Sequence, residues 1–86
     1  MEIIYKSEAI KDIEFWNLSG NKRIQKKISL LIEDIRSHPK TGIGKPEQLR
    51  FELAGKWSRR IDRENRIVYE IRDDKVHILS LRGHYL

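Results

Sequence analysis

The spacing of apolar and polar residues along the first forty positions predicts one strand and two helices. Residues 3–5 form a short β-prone run, and Ser7 is the expected N-cap of a first helix. In that helix Asp12 falls among the polar positions, and the apolar residues recur at every third position: Ile10, Ile13 and Trp16. A second helix follows the expected N-cap Asn21, with an apolar stripe that extends almost to Pro39: Ile24, Ile28, Leu31, Ile32 and Ile35.

After a linker with several glycines and prolines, the pattern changes to the two-residue period of strands. Strands are predicted at residues 49–53, 56–61, 66–71 and 75–81, and the short intervals between them suit hairpins. We therefore expect an α+β fold in which two N-terminal helices pack on one face of an antiparallel sheet, preceded by the short N-terminal strand. The other face is expected to be open to solvent or a ligand. With 86 residues, the chain 1–86 is expected to form a single domain.

The charge of the chain favours a polyanionic partner. Eighteen Lys and Arg against 13 Asp and Glu give a net charge of +5, and residues 21–60 hold eleven of the basic and four of the acidic side chains, a net charge of +7. This distribution favours nucleic acid over a membrane surface, because the apolar stripe of the second helix is the expected core. No apolar run approaches the ~20 residues of a membrane span, so the expected location is the cytoplasm. The absence of cysteine excludes disulfides and thiolate catalysis.

Two groups of basic residues are candidates for binding a polyanion. Four lie near the start of the second helix, where the helix macrodipole disfavours cations: Lys22, Arg23, Lys26 and Lys27. On the strands, alternation places Arg59 with the apolar residues and Arg60 on the open face. Arg60 and Arg66 are expected either to converge on one phosphate or to form ion pairs with nearby carboxylates, and the pattern favours neither alternative. Those carboxylates are Asp62, Glu64 and Glu70.

The aromatic residues and one glutamate complete the candidates. Core packing is the expected role of three aromatic residues: Trp16, Trp57 and Tyr69. Tyr85 belongs either to a frayed tail, which the sequence pattern alone favours, or to a base-stacking site. Glu47 follows a rigid bend among cations and is a candidate general base, although most loop glutamates are merely solvated. The sequence has no nucleotide-binding, hydrolase-elbow or zinc-hydrolase motif.

Six short motifs follow one another in a specific order along nearly the whole chain. They are Lys22-Arg23-Ile24, Lys26-Lys27, Gly44-Lys45-Pro46-Glu47-x-Leu49, Leu53-x-Gly55-x-Trp57-Ser58-Arg59-Arg60-Ile61, Arg66-Ile67-Val68-Tyr69 and His84-Tyr85. Each motif is common by itself, but their order and spacing resemble the YoeB (Txe) toxins within the wider RelE superfamily. The chain departs from that pattern at Arg50, where relatives have lysine, at Gly83, where some have tyrosine, and at Leu86, which extends past the His-Tyr pair.

This resemblance implies the toxin of a type II toxin–antitoxin pair, an endoribonuclease that enters the ribosomal A site and cuts messenger RNA. Four catalytic roles carry over by position: general base Glu47, phosphate-binding Arg66, general acid His84 and base-orienting Tyr85. Candidate substrate contacts are Arg50, Arg59, Arg60 and the four basic residues of the second helix. The resemblance implies no metal and no other cofactor. The implied partners are a YefM-like antitoxin, the ribosome with its message, and a second copy of the chain in a homodimer.

Two other functions remain open from the residues themselves. The same basic surface suits a non-catalytic RNA-binding module, in which single substitutions weaken salt-dependent binding by small, additive amounts. It also suits a protein-interaction domain whose open sheet face and cationic helix bind an acidic partner.

Overall fold

A five-stranded sheet forms one layer of the fold and two helices form the other in the computed structural model, which describes residues 1–83. The strands are β1 (Glu2–Tyr5), β2 (Glu47–Gln48), β3 (Lys56–Arg60), β4 (Arg66–Arg72) and β5 (Lys75–Ser80), and the helices are α1 (Ser7–Ser19) and α2 (Lys22–Ser37). A 3-10 turn, Phe51–Leu53, lies between β2 and β3. The predicted α+β fold, with two N-terminal helices packed on one face of the sheet, is confirmed.

The strand order is β1-β5-β4-β3-β2, so the last four strands form the expected antiparallel meander. The first strand differs, because β1 pairs with β5 in parallel, with Ile3 opposite Val76. The sheet is therefore mixed, because the N-terminal strand, whose pairing the sequence left open, joins the antiparallel strands in parallel. Both helices and three strands separate β1 from β5 along the chain, so no hairpin fixes their relative direction.

The strand predicted at residues 49–53 is wrong, and β2 is shorter and lies earlier in the chain. It pairs Glu47 with Ser58 and ends at Gln48. The Leu49 N–H still donates to the Lys56 carbonyl (2.9 Å), but Phe51 has a φ of 58° and begins the 3-10 turn. A residue in the left-handed conformation ends an extended strand, and the apolar spacing of residues 49–53 does not predict such a conformation at Phe51.

The apolar stripe of α2 packs on the sheet as predicted. Four residues of the stripe are buried and Ile28 is half-buried, and they meet the sheet residues Ile67, Tyr69, Val76 and Ile78. The Asn21 side chain accepts a hydrogen bond from the Ile24 N–H (3.1 Å), which confirms the predicted N-cap. The predicted core role of the aromatic residues is also confirmed, since Trp16 and Tyr69 are buried and Trp57 packs against the same cluster.

The helix α1 differs from the prediction in two ways. Ser7 is its first helical residue, and Lys6 holds the N-cap position without a side-chain hydrogen bond. Ile10 is 48% exposed, whereas Ala9 and Asp12 are buried. The three-residue spacing correctly placed Ile13 and Trp16 toward the core but misplaced Ile10, because Asp12 counted as a surface residue. Neither helix of residues 1–83 is long and apolar enough to cross a membrane.

Candidate active site

The strand register brings one carboxylate and two guanidinium groups to the sheet face that the helices leave uncovered. Glu47 in β2 is the cross-strand partner of Ser58 in β3, and Arg60 lies two residues after Ser58 on the same face. Arg60 is in turn the partner of Arg66 in β4. Cross-strand partners and alternate residues of one strand are about 5–7 Å apart, so these side chains share one small area.

A pocket of about 300 Å³ lies among these side chains. It is lined by Lys45, Pro46, Glu47, Ser58, Arg60 and Arg66. A second depression, of about 510 Å³, shares Lys45, Arg60 and Arg66 with it and extends to Lys27 on α2. The pocket thus combines one carboxylate with three cationic side chains. Such a site has a group that can accept a proton beside groups that can bind a phosphate.

The bend before Glu47 is fastened to β3. The Gly44 carbonyl accepts a hydrogen bond from the Arg60 N–H (2.7 Å). Gly44 has a φ of 79°, and a Cβ there would lie 2.6 Å from Leu31 Cδ2, so glycine is required where α2 and β3 approach the bend. Lys45 follows and lines the pocket. Lys45 was not among the predicted site residues, although the Gly-Lys-Pro bend indicated a cation beside Glu47.

The ion pairs predicted for Arg60 and Arg66 are not formed among residues 1–83. Within residues 1–83, no ion pair joins either arginine to the predicted partners Asp62, Glu64 and Glu70. Glu70 instead pairs with Arg72 (3.4 Å). The Arg66 Nη1 donates to the backbone carbonyls of Asp62 (2.9 Å) and Asn65 (3.2 Å), and these contacts orient its guanidinium at the start of β4.

The connection between β3 and β4 is closed by Asp62. Its Oδ1 accepts hydrogen bonds from the backbone N–H groups of Glu64 (2.9 Å) and Asn65 (2.7 Å). Burial opposes the ionisation of Asp62, but these hydrogen bonds and the nearby Arg66 charge outweigh it, so the pKa of Asp62 is lowered. The charged carboxylate thereby holds the turn that places Arg66 opposite Arg60.

The last described residue is bound beside Arg66. The Gly83 carbonyl accepts a hydrogen bond from the Arg66 N–H (3.1 Å), and the Gly83 N–H donates to Asn65 Oδ1 (2.8 Å). Asn65 was not predicted from the sequence as a contact of Gly83. The predicted catalytic residues His84 and Tyr85 follow in the sequence and lie outside the described residues.

Residues just before Gly83 are held by α1. The Leu81 N–H donates to Asp12 Oδ2 (2.8 Å), and the Leu81 carbonyl accepts from Trp16 Nε1 (2.8 Å). Burial raises the pKa of Asp12, and the hydrogen bond from Leu81 partly opposes the rise. The Arg82 guanidinium carbon lies 3.6 Å from the centre of the Phe15 ring. We call the two hydrogen bonds of Asp12 and Trp16 to Leu81 a clamp. Its only signal in the sequence is the four-residue spacing of Asp12 and Trp16, which puts both on one helix face.

Arg59 has no donor left for a substrate. Its side chain is fully buried and donates to the Tyr69 hydroxyl (3.1 Å), to the Asp34 carboxylate and to three backbone carbonyls, those of His38, Thr41 and Ile43. These contacts use all five N–H groups of a guanidinium. The prediction that Arg59 contacts the substrate is therefore wrong, although strand alternation correctly placed it on the buried face. Hydrogen bonding to Arg59 lowers the pKa of Asp34.

Most of the remaining basic candidates line depressions other than the pocket. Arg23, Lys26 and Lys27 line a depression of about 620 Å³ between α2 and the start of the β3–β4 connection. The predicted residue Lys22 is exposed in the first turn of α2. Arg50 is exposed after β2 and lines a depression of about 830 Å³ that shares Pro46 and Glu47 with the pocket. Sequence reasoning missed Arg63, which lines both depressions next to α2.

Comparison with known proteins identifies the family. Residues 5–85 match the family described as "YoeB-like toxin of bacterial type II toxin-antitoxin system". The chain belongs to this family. It is 46% identical over 85 residues to Toxin YoeB of Escherichia coli (strain K12), an alignment that covers 99% of this chain and 100% of the relative. All residues of the pocket lie within the range that matches the YoeB-like family.

Solved structures agree with this assignment. The YoeB/ParE toxin from Agrobacterium tumefaciens superposes with a TM-score of 0.92 at 36% identity, covering 99% of this chain and 100% of that one. The YoeB-YefM complex from Staphylococcus aureus gives 0.86 at 37% identity, and the YoeB dimer from the same organism gives 0.86 at 36%; both cover 99% of this chain and 98% of the other. The predicted YoeB-type fold, and membership of a toxin–antitoxin system, are confirmed for this YoeB-like toxin.

Proposed function

We propose that this YoeB-like toxin is an endoribonuclease that cuts messenger RNA in the ribosomal A site and so inhibits translation. The observation that carries the proposal is the pocket in which the strand register joins Glu47 to Arg60 and Arg66. RNA supplies its own nucleophile, the 2′-hydroxyl. An enzyme therefore needs only a base, an acid and charge stabilisation, and a metal is not required.

Glu47 acts as the general base in this proposal. Its carboxylate takes the proton of the 2′-hydroxyl, whose oxygen attacks the adjacent phosphorus. The bond from phosphorus to the 5′-oxygen breaks, and this oxygen takes a proton from His84. The products are a 2′,3′-cyclic phosphate on the upstream fragment and a 5′-hydroxyl on the downstream fragment.

The pocket cations stabilise the charge that grows on the phosphate oxygens. Arg60 and Arg66 lie opposite each other on adjacent strands, and Lys45 lines the same pocket. Guanidinium groups suit this task because their planar donors match phosphate oxygens in pairs. The Asp62 turn orients Arg66 before a substrate binds, so little reorganisation is needed during the reaction.

His84 and Tyr85 complete the site as general acid and base-orienting aromatic. The support for this assignment is the position of Gly83, which is hydrogen-bonded to Arg66 and Asn65 at the edge of the pocket. The clamp that Asp12 and Trp16 form on Leu81 holds the preceding segment in place. Two separate sets of contacts thus hold Leu81 and Gly83, and Gly83 lies beside the arginine that binds the phosphate in this proposal.

The cationic surface around the pocket binds RNA outside the scissile step. Lys22, Arg23, Lys26 and Lys27 on α2 and Arg63 form one side of it, and Arg50 lies on the other. Contacts of this kind position a ligand through its phosphates without reading its sequence. We assign them to the message and ribosomal RNA.

A YefM-like antitoxin and a second copy of the chain are the proposed protein partners. The structures that support them are the YoeB-YefM complex and the YoeB dimer of S. aureus, both of which share the fold. The proposed location is the cytoplasm, where ribosomes translate. Residues 1–86 act as one domain in this proposal.

Induced expression tests the proposal, with sequencing of message ends relative to the reading frame. The intact chain is expected to stop growth and leave cuts within codons of translated messages. Arg66→Ala removes a donor to the phosphate and is expected to reduce cleavage by about 100-fold or more. Arg72→Ala, at the far end of β4, serves as the control and is expected to cut normally. Intact messages after induction of the folded chain would contradict the proposal, as would small and additive effects of pocket substitutions.

A further inference from the structure

Phe51 is held in an unusual conformation and exposes its ring. It is 85% exposed, and among residues 1–83 only Leu18, at 88%, is a more exposed large apolar residue. Its φ of 58° lies in the left-handed region, which a bulky side chain adopts only at a cost in free energy. A ring in water gives the fold no compensating burial. Such an outlier therefore points to a function outside the folding of the chain.

The loop that carries Phe51 is held by backbone hydrogen bonds. The 3-10 turn is closed by hydrogen bonds from Leu53 N–H to the Arg50 carbonyl (3.1 Å) and from Ala54 N–H to the Phe51 carbonyl (3.0 Å). Buried Leu49 precedes the turn, and its N–H donates to the Lys56 carbonyl in β3 (2.9 Å). The ring is thus presented on a loop fixed at both ends, so binding a ligand there costs little ordering entropy.

The position of Phe51 connects it to the candidate active site. It lies four residues after Glu47, and the depression of about 830 Å³ that it lines shares Pro46 and Glu47 with the pocket of the arginines. The exposed Arg50 adjoins it on the same loop. An exposed aromatic ring and a guanidinium that line one depression, next to a pocket of cations, are the groups that bind unpaired nucleotides.

We infer that Phe51 stacks on an unpaired nucleobase of the message next to the scissile step, while Arg50 binds the neighbouring phosphate. This inference rests on the proposed ribonuclease function and adds a base-binding subsite to it. A phenyl ring has no hydrogen-bonding group, so the subsite accepts any base through its π-face.

The test uses ribosomes programmed with a message that carries fluorescent 2-aminopurine at successive positions around the cut. Stacking quenches this base, and a Glu47→Gln background prevents cleavage during the measurement. Quenching is expected at one position with Phe51 present and is expected to disappear in Phe51→Leu, which keeps an apolar side chain without an aromatic face. Phe51→Trp is expected to retain it. In chains with Glu47 intact, Phe51→Leu is expected to lower kcat/KM by about tenfold.

Two control variants separate this role from folding. Phe51→Gly relieves the positive φ, so it is expected to keep or raise the midpoint of urea unfolding while losing the quenching. Leu18→Ala removes an equally exposed apolar side chain at the end of α1 and is expected to change neither quenching nor cleavage.

If the wild-type chain cuts messages and Phe51→Leu quenches and cuts equally well, the base subsite is overturned and the ribonuclease stands. If the wild-type chain quenches 2-aminopurine without cutting, the ribonuclease fails and the subsite stands. Loss of antitoxin binding in Phe51→Leu with unchanged quenching would assign the ring to a protein partner and overturn the inference.

Discussion

Replacing Glu47 by Gln is expected to slow message cleavage by about 100- to 10,000-fold while the fold and the affinity for programmed ribosomes stay unchanged. Gln has nearly the shape of Glu but does not take up the proton of a 2′-hydroxyl. The fold is expected to survive because β2 is held through its backbone and Glu47 is exposed. The measurement is the single-turnover cleavage rate of a message on ribosomes, with urea unfolding as the check on stability.

Glu52→Gln is the matched control for this substitution. Glu52 is an exposed glutamate of the same loop, and its replacement removes the same charge at a position that does not line the pocket of the arginines. It is expected to change the rate by less than about threefold, as for a solvated surface charge. Equal rates for the wild type and Glu47→Gln would show that this carboxylate is not the base.

Replacing Arg59 by Met is expected to lower the free energy of unfolding by about 3–5 kcal/mol, because it removes a fully buried guanidinium from its ion pair and its hydrogen-bond acceptors. The Asp34 carboxylate, the Tyr69 hydroxyl and three backbone carbonyls would each lose a donor. Urea unfolding at neutral pH measures the loss. Arg60→Met, one residue along β3 and exposed, is the control and is expected to change stability by less than about 0.5 kcal/mol.

The same pair has a defined pH dependence. Since Arg59 lowers the pKa of Asp34 below its ordinary value of 3.8, the folded chain holds this proton less tightly than the unfolded chain. The stability that the pair contributes is therefore fully present above pH 3.8 and is lost as the pH falls through the lower folded value. Arg59→Met is expected to weaken this acid-dependent loss. An Arg59→Met chain as stable as Arg60→Met, with an unchanged acid profile, would show that Arg59 does not anchor the fold.

The sequence predicted the helices and strands in which buried residues recur at a regular spacing. The α2 stripe and the last three strands follow single periods, so their faces could be assigned from spacing alone. Alternation in β3 likewise separated buried Arg59 from exposed Arg60. The tight connection makes Arg60 and Arg66 cross-strand partners, and their convergence on one phosphate stays a prediction.

Features that depend on distant contacts were beyond the sequence pattern. The parallel pairing of β1 with β5 joins two strands that are far apart in the sequence and are not connected by a turn. Asp12 is buried because it binds Leu81, 69 residues away. The positive φ of Phe51 has no signature in residue type, since glycine is the usual residue there. The approach of Glu47 to the arginines required the short β2 pairing, which lies before the strand that the apolar spacing indicated.

The central claim is that the 2′-hydroxyl of the RNA is the nucleophile in the cleavage that this chain catalyses. The most direct test is a message with a single 2′-deoxynucleotide on the 5′ side of the mapped cut. On programmed ribosomes the wild-type chain is expected to cut the all-ribose message, leaving a 2′,3′-cyclic phosphate and a 5′-hydroxyl, and to leave the deoxy-substituted step intact. Cleavage of that step at the same rate, or fragments that begin with a 5′-phosphate, would contradict the account.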